Sequence, residues 1–384
     1  LNVRVNIMIA GLIFGSLAVL GTIVTTVQAL LVRRFRRPRA PFGVGLPSRQ
    51  ADSFLSILKP VCGLDDELEE NLVSFTQLRG LRYEVLISAE EWDDPALAVA
   101  RRVMRAHPFA PFRIVVDPGS RNGVVNRKVE RLIAATREAK GDILLISDSN
   151  VRVEPDDLVQ TLIAFDDPRV GCVSNLFIGS GARTLGASIE SLHLLSFVTT
   201  GAVLAATAGV PCVVGKSMAV RREALTAIGG FERFRRVLAE DQAIGLAVKE
   251  AGYDVALSPI VIRNIVVDRT VKRALDRQIR WNKIRYAFSH RLYASELLLN
   301  PLVFALLAAP FTPWLPLVIA ASRCAQIAML SRATRAKMTW RQIALTPLLD
   351  LLMLYAWFVP YFSNSVTWRG YRARVGRDTE LIAA

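Results

Sequence analysis

Hydrophobic and polar positions divide the chain into three stretches with different periods. Residues 7–32 carry no charged side chain, and a helix needs about 20 apolar residues to cross a bilayer. Arg33, Arg34, Arg36, Arg37 and Arg39 follow where a cleaved leader would end in small residues. The run therefore predicts an uncleaved signal anchor with its basic end in the cytosol. From residue 54 to 293 short apolar runs alternate with amphipathic stretches. Runs at 54–58, 83–89, 112–116, 142–147 and 170–174 predict strands; 65–78, with acids in its first turn, and 95–106, behind Asp93 and Asp94, predict helices. This α/β rhythm predicts a mostly parallel sheet that binds ligands beyond the carboxyl ends of its strands. The apolar region 297–330 is broken by Pro301, Pro310, Pro313 and Pro316, which predicts a hairpin of short or kinked segments. Residues 332–341 are basic, 343–362 are apolar around Asp350, and 368–377 are again rich in arginine. Keeping both basic stretches in the cytosol makes 343–362 re-entrant, interfacial or a tight helical pair, with Asp350 facing other helices.

The domain reading that follows is an anchor at 1–32, a basic linker at 33–53, a cytosolic α/β domain at 54–293 with an interfacial helix at 270–290, and a transmembrane or interfacial region with a basic tail at 294–384. Composition sharpens it. With 52% hydrophobic residues and a mean hydropathy of +0.33 over 384 residues, a purely soluble protein is disfavoured. The formal charge of +14 raises nucleic acid as a partner, but the arginines flank apolar stretches, so a membrane surface is the expected partner and nucleic acid is not. Arginine far outnumbers lysine, which points to a GC-rich, bacterial genome and hence a cytoplasmic membrane. Cys62, Cys172, Cys212 and Cys324 are too scattered for a zinc site or a disulfide scaffold.

Three patterns carry candidate chemistry. The strand ending in Asp148-Ser149-Asn150 delivers a carboxylate and an amide to its carboxyl end; a hard cation such as Mg²⁺ accepts that set with a diphosphate, although Asp148 could equally cap the next turn. Glu240-Asp241-Gln242 opens an amphipathic helix, where acids serve as caps, or as a base if an acceptor hydroxyl comes near. Arg277-Gln278-Ile279-Arg280-Trp281 sits on a basic helix whose Val271, Leu275, Ile279 and Ile284 share a face suited to a membrane surface. There Arg280 could meet a leaving diphosphate and Trp281 a sugar or acceptor. Gly209 to Ser217 ends in Gly-Lys-Ser but has five residues between its glycines where a P-loop has four, so it is set aside. His107, His193 and His290 read as structural.

These elements, in this order, resemble the ceramide glucosyltransferases of glycosyltransferase family 21 across nearly the whole chain. Lys59-Pro60-Val61-Cys62-Gly63-Leu64-Asp65 is similar to the family's Lys-Pro-x-x-Gly-x-Asp opening, Asp93-Asp94-Pro95-Ala96 to its first aspartate motif, Asp148-Ser149-Asn150 to its second and Glu240-Asp241 to its third. Arg277-x-x-Arg280-Trp281 resembles its (Gln/Arg)-x-x-Arg-Trp box, Cys212-Val213-x-Gly215 also fits, and Trp368-Arg369-Gly370-Tyr371-Arg372-x-Arg374 is similar to its basic tail. The resemblance implies a GT-A domain, related to family 2, that binds a UDP-sugar and a divalent cation, Mg²⁺ or Mn²⁺. Asp94, Lys128 (of Asn126-x-Lys128), Asp148 and Arg277 would bind the donor, and Asp148 with Asn150 the metal. Asp241 would act as base, with Arg280 and Trp281 closing the catalytic site. The implied reaction is inverting transfer of a sugar, glucose first, to the hydroxyl of a membrane lipid, ceramide first. Diacylglycerol, a hopanoid and polyprenyl phosphate are the other acceptors, and a non-catalytic scaffold for anionic lipid is the reading from another class. Asn150 stands where many related transferases have a second acid, so Asp148 leads any metal site.

Overall fold

The computed structural model describes residues 2–36, 53–119, 124–368 and 371–383. Most of the linker expected at 33–53, with Arg37 and Arg39, lies outside the described residues, as do Arg369 and Gly370 of the tail.

A sheet of eight strands organises the central domain. In chain order they are β1 (Phe54–Pro60), β2 (Arg82–Ala89), β3 (Phe112–Val116), β4 (Ile143–Ser147), β5 (Val151–Arg152), β6 (Val170–Ser180), β7 (Ser217–Arg221) and β8 (Asp254–Ile265), and their spatial order is β3-β2-β1-β4-β7-β6-β8-β5. The expected parallel sheet is present from β3 to β4. Beyond it β7 runs antiparallel to both β4 and β6, while β6 and β8 are parallel. Of this mixed half only the start of β6, at 170–174, was read from the sequence: Ser217–Arg221 is short, and β8 is interrupted by Pro259 and exposed Arg263 without a regular apolar pattern.

β1, β2 and β4 are near-continuous apolar runs buried on both faces, as expected of sheet covered by helices on each side. One face packs Leu55, Ile57, Val85 and Ile87 against Leu97 and Ala100 of the helix Pro95–Ala106. The other packs Leu58, Leu86, Leu144 and Ile146 against Val129, Leu132 and Ile133 of the helix Arg127–Glu138. The first begins as the sequence expects, with Asp94 as its capping side chain, whereas the second, capped by Asn126, was not read from the sequence. The helix expected at 65–78 is shorter, Leu68–Ser74, because Glu67 adopts a left-handed conformation with φ 50°.

The first helix, Asn2–Phe35, packs along Pro301–Ala308 and Leu315–Thr334 through Ala18, Leu302, Phe304, Ala305, Leu315 and Ile319. At Gly21 a Cβ would stand 2.4 Å from the Leu298 carbonyl oxygen, so only glycine allows this approach. Met8, Leu12, Val19, Ile23, Val27, Leu317 and Phe358 remain exposed, an apolar surface of the kind that lipid covers. By length and composition Met8–Phe35 and Leu185–Thr207 could each cross a membrane, and His290–Leu299 with Pro301–Ala308 could do so as a pair bent by 64°. Residues 185–207 were not singled out in the sequence; half of this helix serves the domain core, where Ile189, Leu192 and Leu195 meet Leu176 and Ile178 of β6. The apolar stretch 343–362 yields the helix Thr346–Phe358, 13 residues long. At about 1.5 Å per residue this is too short for the hydrocarbon core. Asp350 faces its neighbours as expected: Arg323 donates to both of its oxygens, at 3.0 and 3.1 Å.

The tail is folded. β9 (Ser365–Trp368), β10 (Tyr371–Val375) and β11 (Leu381–Ala383) form an antiparallel sheet whose Val366, Ala373, Val375 and Leu381 pack on Leu238. The Thr379 carbonyl accepts from Leu238 N–H at 2.9 Å, which secures the segment leading to Glu240.

Candidate functional site

The carboxyl end of β4, the loop 211–216 before β7, the helix Glu240–Glu250 and the helix Val271–Phe288 surround a cleft of about 1100 Å³. Its polar floor is a lattice of opposite charges. Asp148 leaves β4 as the buried strand ends. Its Oδ1 lies 2.9 Å from Lys128 Nζ and its Oδ2 lies 2.9 Å from Lys216 Nζ. Lys128 also reaches Glu240 Oε1 at 3.0 Å and donates to the Gly215 carbonyl at 3.2 Å. Asn126 explains why Lys128 stands there. Its Oδ1 caps the helix Arg127–Glu138 by accepting from Lys128 N–H at 3.0 Å, and its Nδ2 donates to Glu240 Oε2 at 3.0 Å. The Asn-x-Lys pattern is thus a cap and an ion-pair donor two residues apart.

Glu240 and Asp241 have separate tasks. Glu240 is buried and satisfied by Lys128 and Asn126. Asp241 is half-buried on the cleft, accepting at Oδ2 from Gly215 N–H, 2.6 Å, and at Oδ1 from Gln242 N–H, 2.8 Å. Desolvation, helped by the neighbouring Glu240 charge, pushes the Asp241 carboxyl up to about 6 against the opposing pull of Lys128 and the two N–H donors. Asp148 goes the other way: desolvation alone would raise it, but Lys128 and Lys216 outweigh that and hold it well below the ordinary carboxylate range. Two aspartates in one cleft are thereby separated into a permanent anion and a group poised to exchange a proton.

The loop 211–216 joins these carboxylates. Gln242 grips it by donating to the Pro211 carbonyl at 2.9 Å and accepting from Val213 N–H at 3.0 Å. Gly215 serves Asp241 and Lys128 with its own backbone, and the Lys216 carbonyl accepts from Asp148 N–H at 3.2 Å. The Gly-Lys-Ser sequence set aside as a P-loop is therefore part of the site, by a geometry unrelated to a P-loop. Lys59 is a second lysine that the sequence reading left without a role. Fully buried at the end of β1, it donates to the Asp148 carbonyl at 3.0 Å and lies 4.0 Å from the centre of the Phe75 ring. Desolvation lowers it to about 7 against the attraction of Asp148 and Asp65. A lysine inside the otherwise apolar strand FLSILKP was the available signal.

On the helix Val271–Phe288, Arg273, Arg277, Arg280, Trp281, Ile284 and Phe288 line one wall of the cleft, at the three- and four-residue spacing of a single helix face. The apolar face expected from Val271, Leu275, Ile279 and Ile284 is not the most buried one; the helix docks through Ala274, Gln278, Asn282 and Lys283. Arg277 ion-pairs with the fully buried Glu190, which Arg269 Nε also approaches at 3.1 Å, and its guanidinium lies 4.8 Å from the centre of the Trp281 ring. Glu190 carried no sequence signal beyond being an acid in an apolar helix. Asp94 is not among the residues lining the cleft. It accepts from Gly63 N–H at 3.0 Å and from Ala96 N–H at 2.8 Å, so it ties the loop after β1 to a helix start. Above the polar floor the lining turns apolar, with Phe197, Val198, Leu204, Ile284, Phe288 and Leu292.

Among the described residues no three His, Cys, Asp or Glu side chains converge on a common point. Asp148 and Asn150 do form a place for a cation, because Lys216 Nζ stands in for one there, 2.9 Å from Asp148 Oδ2 and 2.8 Å from Asn150 Oδ1.

Relatives agree with this architecture. Ceramide glucosyltransferase 1 of Caenorhabditis elegans is 28% identical over 245 residues, 63% of this chain and 52% of the relative. A ceramide glucosyltransferase of Pyricularia oryzae is 27% identical over 335 residues, 70% of this chain and 65% of the relative. The chain thus matches about half to two thirds of these relatives' lengths. Among solved structures, the mannosyltransferase PcManGT of Pyrobaculum calidifontis, in complex with GDP-Man and Mn²⁺, superimposes with a TM-score of 0.50 at 18% identity, covering 91% of this chain and 99% of that one. The fold is the GT-A fold of glycosyltransferases, carried with apolar helices long enough to span a membrane. The model of glycosyl transferase family 21 matches residues 13–381, from the first helix through every element that builds the cleft, and the protein belongs to that family.

Proposed function

We propose that this protein transfers a sugar, glucose first, from a UDP-sugar to the hydroxyl of a membrane lipid, ceramide first, with inversion at the anomeric carbon. The observation that carries the reading is the two-part cleft: a proton-exchanging Asp241 and a field of fixed cations on its floor, beneath apolar walls contributed by Phe197, Leu204, Ile284 and Phe288. The polar part suits a nucleoside diphosphate and the apolar part a lipid chain. Asp241 takes the proton of the acceptor hydroxyl as its oxygen attacks C1 of the sugar on the face opposite the diphosphate. The C1–O bond to the diphosphate breaks with its electron pair. Arg280, with Arg277 held in place by Glu190, receives the charge that develops on the leaving oxygen, and a β-glycoside results from an α-linked donor. Trp281 offers a flat face to the sugar or acceptor. Asp94 supports the nucleoside end indirectly, through the loop it ties to Gly63.

Asp148 and Asn150 would hold a divalent cation, which when bound supplies further positive charge to the diphosphate. The arginines after the first helix support a catalytic domain on the cytosolic side, and the arginine-rich composition supports a bacterial cytoplasmic membrane. The test is transfer of radiolabelled sugar from UDP-glucose, UDP-galactose and UDP-glucuronate into ceramide and diacylglycerol by purified protein, with and without Mg²⁺ or Mn²⁺, beside Asp241→Asn. Labelled β-glucosylceramide that vanishes in the variant supports the reading. Labelled diacylglycerol alone replaces the acceptor, and no transfer to any lipid rejects it.

A further inference from the structure

The floor of the cleft contains its own cation at the position a metal would take. Asp148 has two carboxylate oxygens, and each is matched to a lysine: Oδ1 to Lys128 and Oδ2 to Lys216, both at 2.9 Å. The neighbouring amide oxygen of Asn150 also accepts from Lys216, at 2.8 Å. Asp148 Oδ2 and Asn150 Oδ1 are the atoms of this motif with which a hard cation would bond. An ion cannot share that space with an ammonium group, and two like charges at such separation repel strongly in a desolvated cleft.

One of the two lysines must therefore leave when an ion enters. Lys128 is the more firmly held, since it also meets Glu240 Oε1 at 3.0 Å and the Gly215 carbonyl at 3.2 Å. Lys216 meets Asp148 and Asn150, the two residues the ion itself would take. Its four-carbon stem lets the ammonium swing while its backbone stays fixed by the bond from Asp148 N–H. A bound diphosphate would give the displaced ammonium a new anion.

We propose that Lys216 is a built-in counterion that a divalent cation must displace from Asp148 and Asn150, so that the cleft holds metal weakly on its own and more tightly once a nucleoside diphosphate receives the lysine. The inference rests on the reading that a divalent cation acts at Asp148.

The experiment is a Mn²⁺ titration of the full chain in detergent, followed by the electron paramagnetic resonance signal of free Mn²⁺, without and with saturating UDP. Lys216→Met removes the charge and keeps the length of the side chain; without UDP it is expected to bind Mn²⁺ at least about tenfold more tightly than the unaltered protein, a change of about 1.4 kcal/mol. Lys216→Arg keeps the charge and is expected to stay within about threefold of it, again on the scale where tenfold is about 1.4 kcal/mol. UDP is expected to tighten Mn²⁺ binding more in the unaltered protein than in Lys216→Met, because only the former has a lysine to relocate. Asp148→Asn should abolish the site in either background. Lys216→Gln is the second neutral variant should Lys216→Met fail to fold, judged by tryptophan fluorescence and elution volume. Equal affinity in the unaltered protein and the neutral variant overturns the proposal, as does equal tightening by Lys216→Arg or Mn²⁺ binding that survives Asp148→Asn. If no form binds Mn²⁺ even with UDP, the cation part of the proposed function falls with it, while lipid glycosylation stands or falls on the transfer assay.

Discussion

Asp241 concentrates the chemistry in one carboxyl group whose environment opposes its charge. Its value near 6 is set first by desolvation and then by Glu240. A base must be ionised to accept a proton, so kcat should fall as pH drops through about 6, and the measurement is the acidic limb of the pH–rate profile. The effect on stability has the opposite sense. Because the folded value lies above that of the unfolded chain, the native state holds more protons between about pH 4 and 6, and stability declines as pH rises across that window. At neutral pH the ionised group destabilises the fold by an amount on the order of 1–3 kcal/mol. Asp241→Asn should lower kcat by about 10²- to 10⁴-fold while raising the thermal midpoint at pH 7.5, and a midpoint that falls instead would contradict this account. The sequence chose Asp241 over Glu240 only through the family resemblance; the physical distinction comes from Lys128 and Asn126, which reach Glu240 from another helix.

The decisive element is the loop 211–216. It carries no charge pattern of its own except Lys216, and its importance lies in backbone groups that hold Asp241, Lys128 and Asp148 in one arrangement. A Cβ at Gly215 would stand 2.9 Å from Lys128 Nζ and 3.1 Å from Asp241 Oδ2. Gly215→Ala should therefore displace the base and its neighbour by a few tenths of an ångström. The expected result is a drop in kcat of about 10- to 100-fold, with a thermal midpoint that moves little; comparing single-turnover rates with melting curves tests this. Backbone contacts of this kind have no composition or period, so the sequence pointed to the loop only through its likeness to a family motif. The strands β1, β2 and β4 were legible for the opposite reason, since each is a mostly apolar run of strand length. The arginine-rich tail was read as a basic terminus, whereas Val366, Ala373 and Val375 alternate with its polar residues to cover Leu238.

At the scale of the whole molecule, the apolar helices are joined by a pair of charges. Arg323 and Asp350 are both buried and form a bidentate pair between Leu315–Thr334 and Thr346–Phe358. Asp350→Ala would leave the guanidinium buried without its partner and should destabilise the protein by about 3–5 kcal/mol, whereas replacing both residues with leucine should recover most of that loss. Thermal unfolding of the three forms in one detergent measures it. Sugar transfer by the double variant at a permissive temperature should remain near that of the unaltered protein, because neither residue lines the cleft.

The sequence by itself determined the long apolar N-terminal helix, the α/β rhythm and the residue types at the cleft, because long apolar runs, strand-length runs and acids at element ends are local patterns. Tertiary structure decided how those residues divide the work. It turned Asp94 into a loop tie, Glu240 into a partner for Lys128, and Arg277 into a partner for Glu190. It also brought Lys59 of β1 and Lys216 of the loop 211–216 onto Asp148 from far apart in the chain. Charge and proton affinity depend on what lies within a few ångströms, and for these groups the nearest neighbours are set by the fold.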